Sequence, residues 1–135
     1  MGNVFLVDQN DARTTISLRT FKGSDAAILQ AEIAAFIATL IAGGTHGIKD
    51  INLAGSGDGE EFVVTMLTST GTAAPSAGTT VLLFQASSFS ELNVKMNAAY
   101  AALVAASATI RGCAVDGTCL GNHYIGLFLY TAGVQ

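Results

Sequence analysis

The chain of 135 residues has no tryptophan, one proline, two cysteines and two histidines, and charged residues make up only 12% of it. About 25% charge is usual for a soluble domain. A lone globule of this size normally keeps more charge on its surface. Either small residues (Gly, Ala, Ser, Thr) coat the surface, or much of it is buried against other chains. The six basic residues, Arg13, Arg19, Lys22, Lys49, Lys95 and Arg111, are scattered, and the net charge is −4. A phosphate-neutralising groove needs clustered cations, so nucleic acid is excluded as an expected partner. A polybasic membrane-surface site is excluded on the same ground.

The shortage of reactive side chains is equally informative. His46 and His123 carry no spacing that requires them to meet a third ligand or an orienting carboxylate, and they read as loop histidines. Cys113 and Cys119 match no zinc or redox motif. Two buried thiols are expected, with a disulfide as the alternative in oxidising conditions. The stretch Gly55-Ser56-Gly57-Asp58-Gly59-Glu60-Glu61 lacks the lysine of a phosphate-binding Walker loop, the helix of a dinucleotide site and the alternating acids of an EF-hand. No Gly-x-Ser-x-Gly elbow follows a strand. The expectation is therefore a protein that is not an enzyme and has no cofactor and no metal.

The N-terminus, Met1-Gly2-Asn3-Val4, has no basic region or cleavage site, and Leu6 stands where a myristoylation motif wants Ser or Thr. The apolar stretch Ala26–Ala42 includes Gln30 and Glu32 and is at the short limit for crossing a bilayer, so it reads as a buried helix rather than a membrane span.

What is present is a regular alternation of strand and helix patterns over a single domain, residues 1–135. Val4–Val7 and Thr14–Phe21 read as a hairpin around Gln9–Ala12, with Ile16 and Leu18 pointing one way and Ser17 and Arg19 the other. Ser24 offers an N-cap to a helix over 25–42, whose large face is Leu29, Ile33, Phe36, Ile37 and Leu40. Gly43-Gly44 ends it. Ile48–Leu53, Glu61–Thr68 and Thr79–Ala86 read as strands. Ser90 caps a second helix over 91–107, with Leu92, Met96, Tyr100 and Leu103 in front and alanines behind. Ala108–Val115 and His123–Thr131 are the last strands. Ala54–Glu60 and Ser69–Gly78, which holds Pro75, are the expected mobile loops.

This order predicts an α+β fold. Its mainly antiparallel sheet carries both helices on one face, in a ββαβ pattern that repeats over Val4–Leu53 and Phe62–Val115 and leaves Tyr124–Tyr130 as an extra strand. The strands are apolar on both sides: Val81 and Leu83 oppose Leu82 and Phe84, and Phe128 and Tyr130 oppose Leu127 and Leu129. A half-exposed antiparallel sheet should alternate apolar with polar. Two helices cover one face, so a neighbouring subunit is expected on the other. The last strand is the expected contact, through Tyr124, Phe128 and Tyr130, because a tyrosine ring can be buried while its hydroxyl finds a partner.

The segment Val7-Asp8-Gln9-Asn10-Asp11-Ala12-Arg13-Thr14-Thr15-Ile16, followed by an alanine-rich helix ending Leu40-Ile41-Ala42-Gly43-Gly44, resembles small structural proteins of tailed phages. In that group a hairpin precedes an alanine-rich helix closing near Gly-Gly; here Asp11-Ala12 stands where the group usually has Gly-Lys. The resemblance implies a virion structural protein of the capsid cement or decoration type. It would be made in the host cytoplasm, associate with itself and attach to a major capsid protein. On that reading Thr72 and Pro75, in the long loop, are candidates for touching the shell. Two alternatives stand beside it. One is a small-ligand-binding domain with a pocket near Phe36, Phe84 and Tyr100. The other is an oligomeric enzyme whose site forms between subunits.

Overall fold

The computed structural model describes residues 16–55, 61–117 and 124–133. Chain order is β1 (Ile16–Gly23), α1 (Ala26–Gly43), β2 (Gly47–Gly55), β3 (Phe62–Ser69), β4 (Thr79–Ala86), α2 (Phe89–Ala105), β5 (Thr109–Gly117) and β6 (Tyr124–Thr131). The strands form two antiparallel three-stranded sheets, ordered β1-β3-β2 and β4-β6-β5. The α+β class and the antiparallel pairing follow the sequence pattern. The expected single sheet is instead two.

The repeat is also differently framed. The unit is βαββ, β1 to β3 and then β4 to β6, so β6 is the closing strand of the second unit rather than an extra one. The strand of the first predicted hairpin, Val4–Val7, lies outside the described residues. The two units match in register. Ile16 pairs with Ser69 as Thr79 pairs with Thr131, and Gly23 pairs with Phe62 as Ala86 pairs with Tyr124. Both second strands shift register at a basic residue, Lys49 between Ile48 and Asp50, and Arg111 between Ile110 and Gly112. Both helices are left through a residue with left-handed backbone, Gly44 at φ 69° and Ser107 at φ 62°.

Caps fall one position later and two positions earlier than the sequence pattern suggests. Asp25, not Ser24, caps α1, its carboxylate accepting from the Ala27 N–H at 2.8 Å. Ser88, not Ser90, caps α2 and accepts from Glu91 N–H at 3.1 Å, while the Glu91 carboxylate accepts from Ser87 N–H and Oγ. This reciprocal arrangement satisfies donors that the first turn otherwise leaves open.

Helix placement follows from which stripe each helix buries. Ala26, Leu29, Ile33, Ile37 and Leu40 of α1 share one core with Phe21, Phe62, Val64 and Met66 of the first sheet and with Val81, Leu83, Ile125, Leu127 and Leu129 of the second. Thus α1 lies between the two sheets, packed most extensively on β4, while β2 sits beside β5. On the other face of the second sheet, Leu92, Met96 and Leu103 of α2 pack with Phe128, Leu82 and Phe84. The helices therefore occupy opposite faces of the second sheet, not one common face. A sheet with large apolar side chains on both sides needs two covers, and this chain supplies both.

The junction of the two units is fixed by polar contacts as well. Gln30 of α1 accepts the Leu83 N–H at 2.9 Å, on the edge of β4 turned away from β6. Gln85 accepts the Ala26 N–H at 3.1 Å and donates to the Ser24 carbonyl at 3.2 Å. Each satisfies a backbone group that a helix start or a sheet edge would leave open. On the opposite side of α1, Phe36 is only partly buried. Its ring lies 5.7 Å from Phe21, and the Arg19 guanidinium sits 4.7 Å above it. Full burial of this ring would make Phe36→Ala cost about 3–5 kcal/mol. With the ring half exposed, about 2 kcal/mol is expected in denaturant unfolding, and a loss above 3 would contradict this placement.

Candidate functional site

The predicted contact strand lies inside its own sheet, largely covered by the chain itself. β6 is the middle strand of its sheet. Phe128 is buried under α2, edge-to-face with Phe84 at 6.0 Å, and Tyr124 and Tyr130 are half-buried against the same cluster. Of the three side chains expected at a subunit contact, Phe128 is buried inside the chain, while Tyr124 and Tyr130 keep part of their surface exposed. The cover of Phe128 is the protein's own second helix.

Thr72 and Pro75 belong to the 70–78 connection between the two units, and both are half-buried. This segment lies directly on the start of β2. A side chain at Gly47 would run into the Ala73 carbonyl oxygen and come within 2.6 Å of that of Thr72. The segment is closed by Gly71 N–H to Ser69 Oγ at 2.9 Å and Thr79 N–H to the Ser76 carbonyl at 3.1 Å. Expected as an exposed connection that is mobile or partner-dependent, it is a bridge that rests on β2 through the Thr72 and Ala73 carbonyls, while Gly71 and Ser76 to Gly78 are exposed. Of the other expected loop, 56–60 lies outside the described residues.

Three side chains proposed for a ligand pocket are not brought together. Phe36 flanks the core between the sheets, Phe84 belongs to the cluster under α2, and Tyr100 stands on the exposed side of that helix. An open cleft of about 600 Å³ runs between β1 and α1, lined by Arg19, Phe21, Lys22, Glu32 and Phe36. A second, of about 270 Å³, lies under the bridge beside Pro75 and Arg111. Neither gathers a nucleophile with a base. His46 Nδ1 is 3.0 Å from Thr45 Oγ1, and His123 lies outside the described residues. Cys113, expected to be buried, is exposed on the edge strand β5, and Cys119 is outside the described residues. Partial desolvation pushes the Cys113 thiol above its ordinary pKa, the opposite of activation. Among the described residues no group of three His, Cys, Asp or Glu is placed to hold a metal ion.

The features that stand out are apolar surfaces. Along α2, Phe89, Tyr100 and Val104 form one exposed stripe. At the opposite end of the stack, the face of the first sheet turned away from α1 carries exposed Leu18 and half-buried Val63 and Leu67 beside polar Thr20, Lys22, Thr65, Asp50 and Asn52, and among the described residues no helix packs on it. Leu18 is 58% exposed. On β1 the inward side is Arg19 and Phe21, so the alternation read from the sequence is real but its apolar member Leu18 points out. Helix α1 is long and apolar enough to cross a membrane by length and composition. Leu29, Ile33, Ile37 and Leu40 are nonetheless buried in the core between the sheets, while Ile28 is exposed.

No family model matches the chain, and no curated protein is similar to it. Among solved structures it is similar to a protein described as a glycine cleavage system transcriptional repressor. Identity is 13% and the TM-score 0.29, over 90% of this chain and 82% of that one. A likeness at that level carries no argument about fold or function.

Proposed function

We propose that this protein is a structural subunit of a virion, a capsid cement or decoration protein that associates with itself and with a major capsid protein. The observation that carries the assembly part of this reading is the exposed apolar side chains at the two ends of the stack, Phe89, Tyr100 and Val104 on α2 and Leu18 on the outer face of the first sheet. A chain with 12% charge has little with which to mask such surfaces. Burying them against protein gains roughly 25 cal/mol for each Å² removed from water. The virion part rests on the resemblance of Val7–Ile16 and the helix closing at Gly43-Gly44 to tailed-phage structural proteins. Immunogold labelling of particles from cells encoding the chain tests it. Regular label over the shell is expected. Particles that contain the capsid protein but carry no label would overturn the virion reading.

A further inference from the structure

The βαββ repeat does more than duplicate an element order: it shows how one unit docks on the next. Within the chain, α1 of the first unit lays Ala26, Gln30, Ile37 and Ile41 toward the second unit, where Gln30 takes the edge N–H of Leu83. In the matched registers, the corresponding positions of α2 are Phe89, Asn93, Tyr100 and Val104. Phe89, Tyr100 and Val104 are 60%, 51% and 54% exposed, although their counterparts Ala26 and Ile37 are buried and Ile41 packs against the core. The receiving positions, Val81, Leu83 and Gln85, correspond to Leu18, Thr20 and Lys22 of β1. Leu18 and Thr20 are exposed where Val81 and Leu83 are buried. Thr20 pairs with Thr65 as Leu83 pairs with Leu127, so the Thr20 N–H lies on the edge of β1 that no other described strand pairs with. One junction is made inside the chain, and among the described residues the two surfaces of a second, equivalent junction are left uncovered at its ends.

We infer that α2 of one copy docks on the β1 side of the first sheet of a second copy, repeating between chains the α1–β4 junction found within the chain. Phe89, Tyr100 and Val104 then cover Leu18, and the Asn93 amide oxygen faces the Thr20 N–H as Gln30 faces that of Leu83. The contact is heterologous: different surfaces of the two copies meet. Copies joined this way close into a ring or continue as a filament, according to the rotation between units. This inference rests on the reading of the chain as an assembly subunit and adds the surfaces and the polarity of assembly.

The test uses the full chain with Leu18→Glu and Tyr100→Glu, both at exposed positions, so folding is expected to survive and is checked by circular dichroism. Light scattering is expected to give an oligomer for the unaltered chain and a folded monomer for each variant. Mixing the two variants restores one intact junction, α2 of the Leu18→Glu chain on β1 of the Tyr100→Glu chain. The mixture is therefore expected to give a heterodimer and nothing larger. Variants that assemble like the unaltered chain would overturn the docking mode while leaving the subunit reading in place. An unaltered chain that stays monomeric would overturn both. A chain that assembles only after deletion of residues 1–15 would also overturn the docking mode, by assigning the β1 face to that segment.

Discussion

Ile37→Ala is expected to cost about 2–5 kcal/mol, whereas Tyr100→Ala, at the matching position of the second helix, is expected to cost about 1 kcal/mol or less in the dissociated chain. The two residues occupy the same place in their repeats. Ile37 is 0% exposed because β4 supplies a wall on the far side of α1, and Tyr100 is 51% exposed because nothing among the described residues supplies that wall for α2. Truncating Ile37 removes its transfer free energy and leaves a cavity that two sheets and a helix cannot easily close. Truncating Tyr100 gives up a tilted contact with Phe128 at 6.4 Å and some half-covered ring surface. Urea unfolding of both variants, at concentrations where the chains are separate, measures the difference. Equal losses would mean that the repeat frame assigned to the two helices is wrong.

Gly47→Ala is the second large expected effect, a loss of roughly 3 kcal/mol. The crowding atoms are backbone carbonyl oxygens, those of Ala73 and Thr72, so no side chain can swing aside to make room. The bridge over 70–78 would have to lift from the start of β2, and the junction of the two units would loosen with it. Thr109, which starts the corresponding strand of the second unit, is exposed among the described residues. Thr109→Ala is accordingly expected to change stability by no more than about 0.5 kcal/mol. If Gly47→Ala unfolds at the same denaturant concentration as the unaltered chain, the bridge does not rest on β2. By the same packing, removing Thr72–Ser76 should destabilise the fold.

Local patterns in the sequence were sufficient for the elements and insufficient for their arrangement. Helical spacing of Leu29, Ile33 and Leu40, and of Leu92, Met96 and Leu103, located both helices and their buried sides. Period-two alternation and short apolar runs bounded by turn residues located all six described strands to within about two residues. The apolar character of both faces of 79–86 and 124–131 was also legible, and it correctly demanded two covers. What periodicity lacks is the identity of the cover. Nothing in Phe128 or Tyr130 distinguishes an α2 helix from another subunit as the neighbour. Tyr100 and Ile37 look alike as members of an apolar stripe, and only the position of β4 makes one core and the other surface. The caps missed because Ser24 and Asp25, and Ser88 and Ser90, each offer two nearby oxygens, and side-chain reach rather than residue type selects between them. The repeat was visible as a resemblance of helices, but counting Val4–Val7 as a strand shifted its frame by one element.

The position of α1 between two sheets also has a bearing on synthesis. The chain emerges from the ribosome N-terminus first, so the first βαββ unit is complete in sequence when Ser69 appears, before any residue of β4 exists. Until Val81 and Leu83 follow, one side of the α1 stripe has no wall, and Ile37 is as bare as Tyr100 is in the finished chain. The first unit alone therefore presents a sticky helix to any nascent neighbour on the same message. The short bridge over 70–78 limits that interval by bringing β4 to the helix as soon as it is made, ahead of strands from other chains.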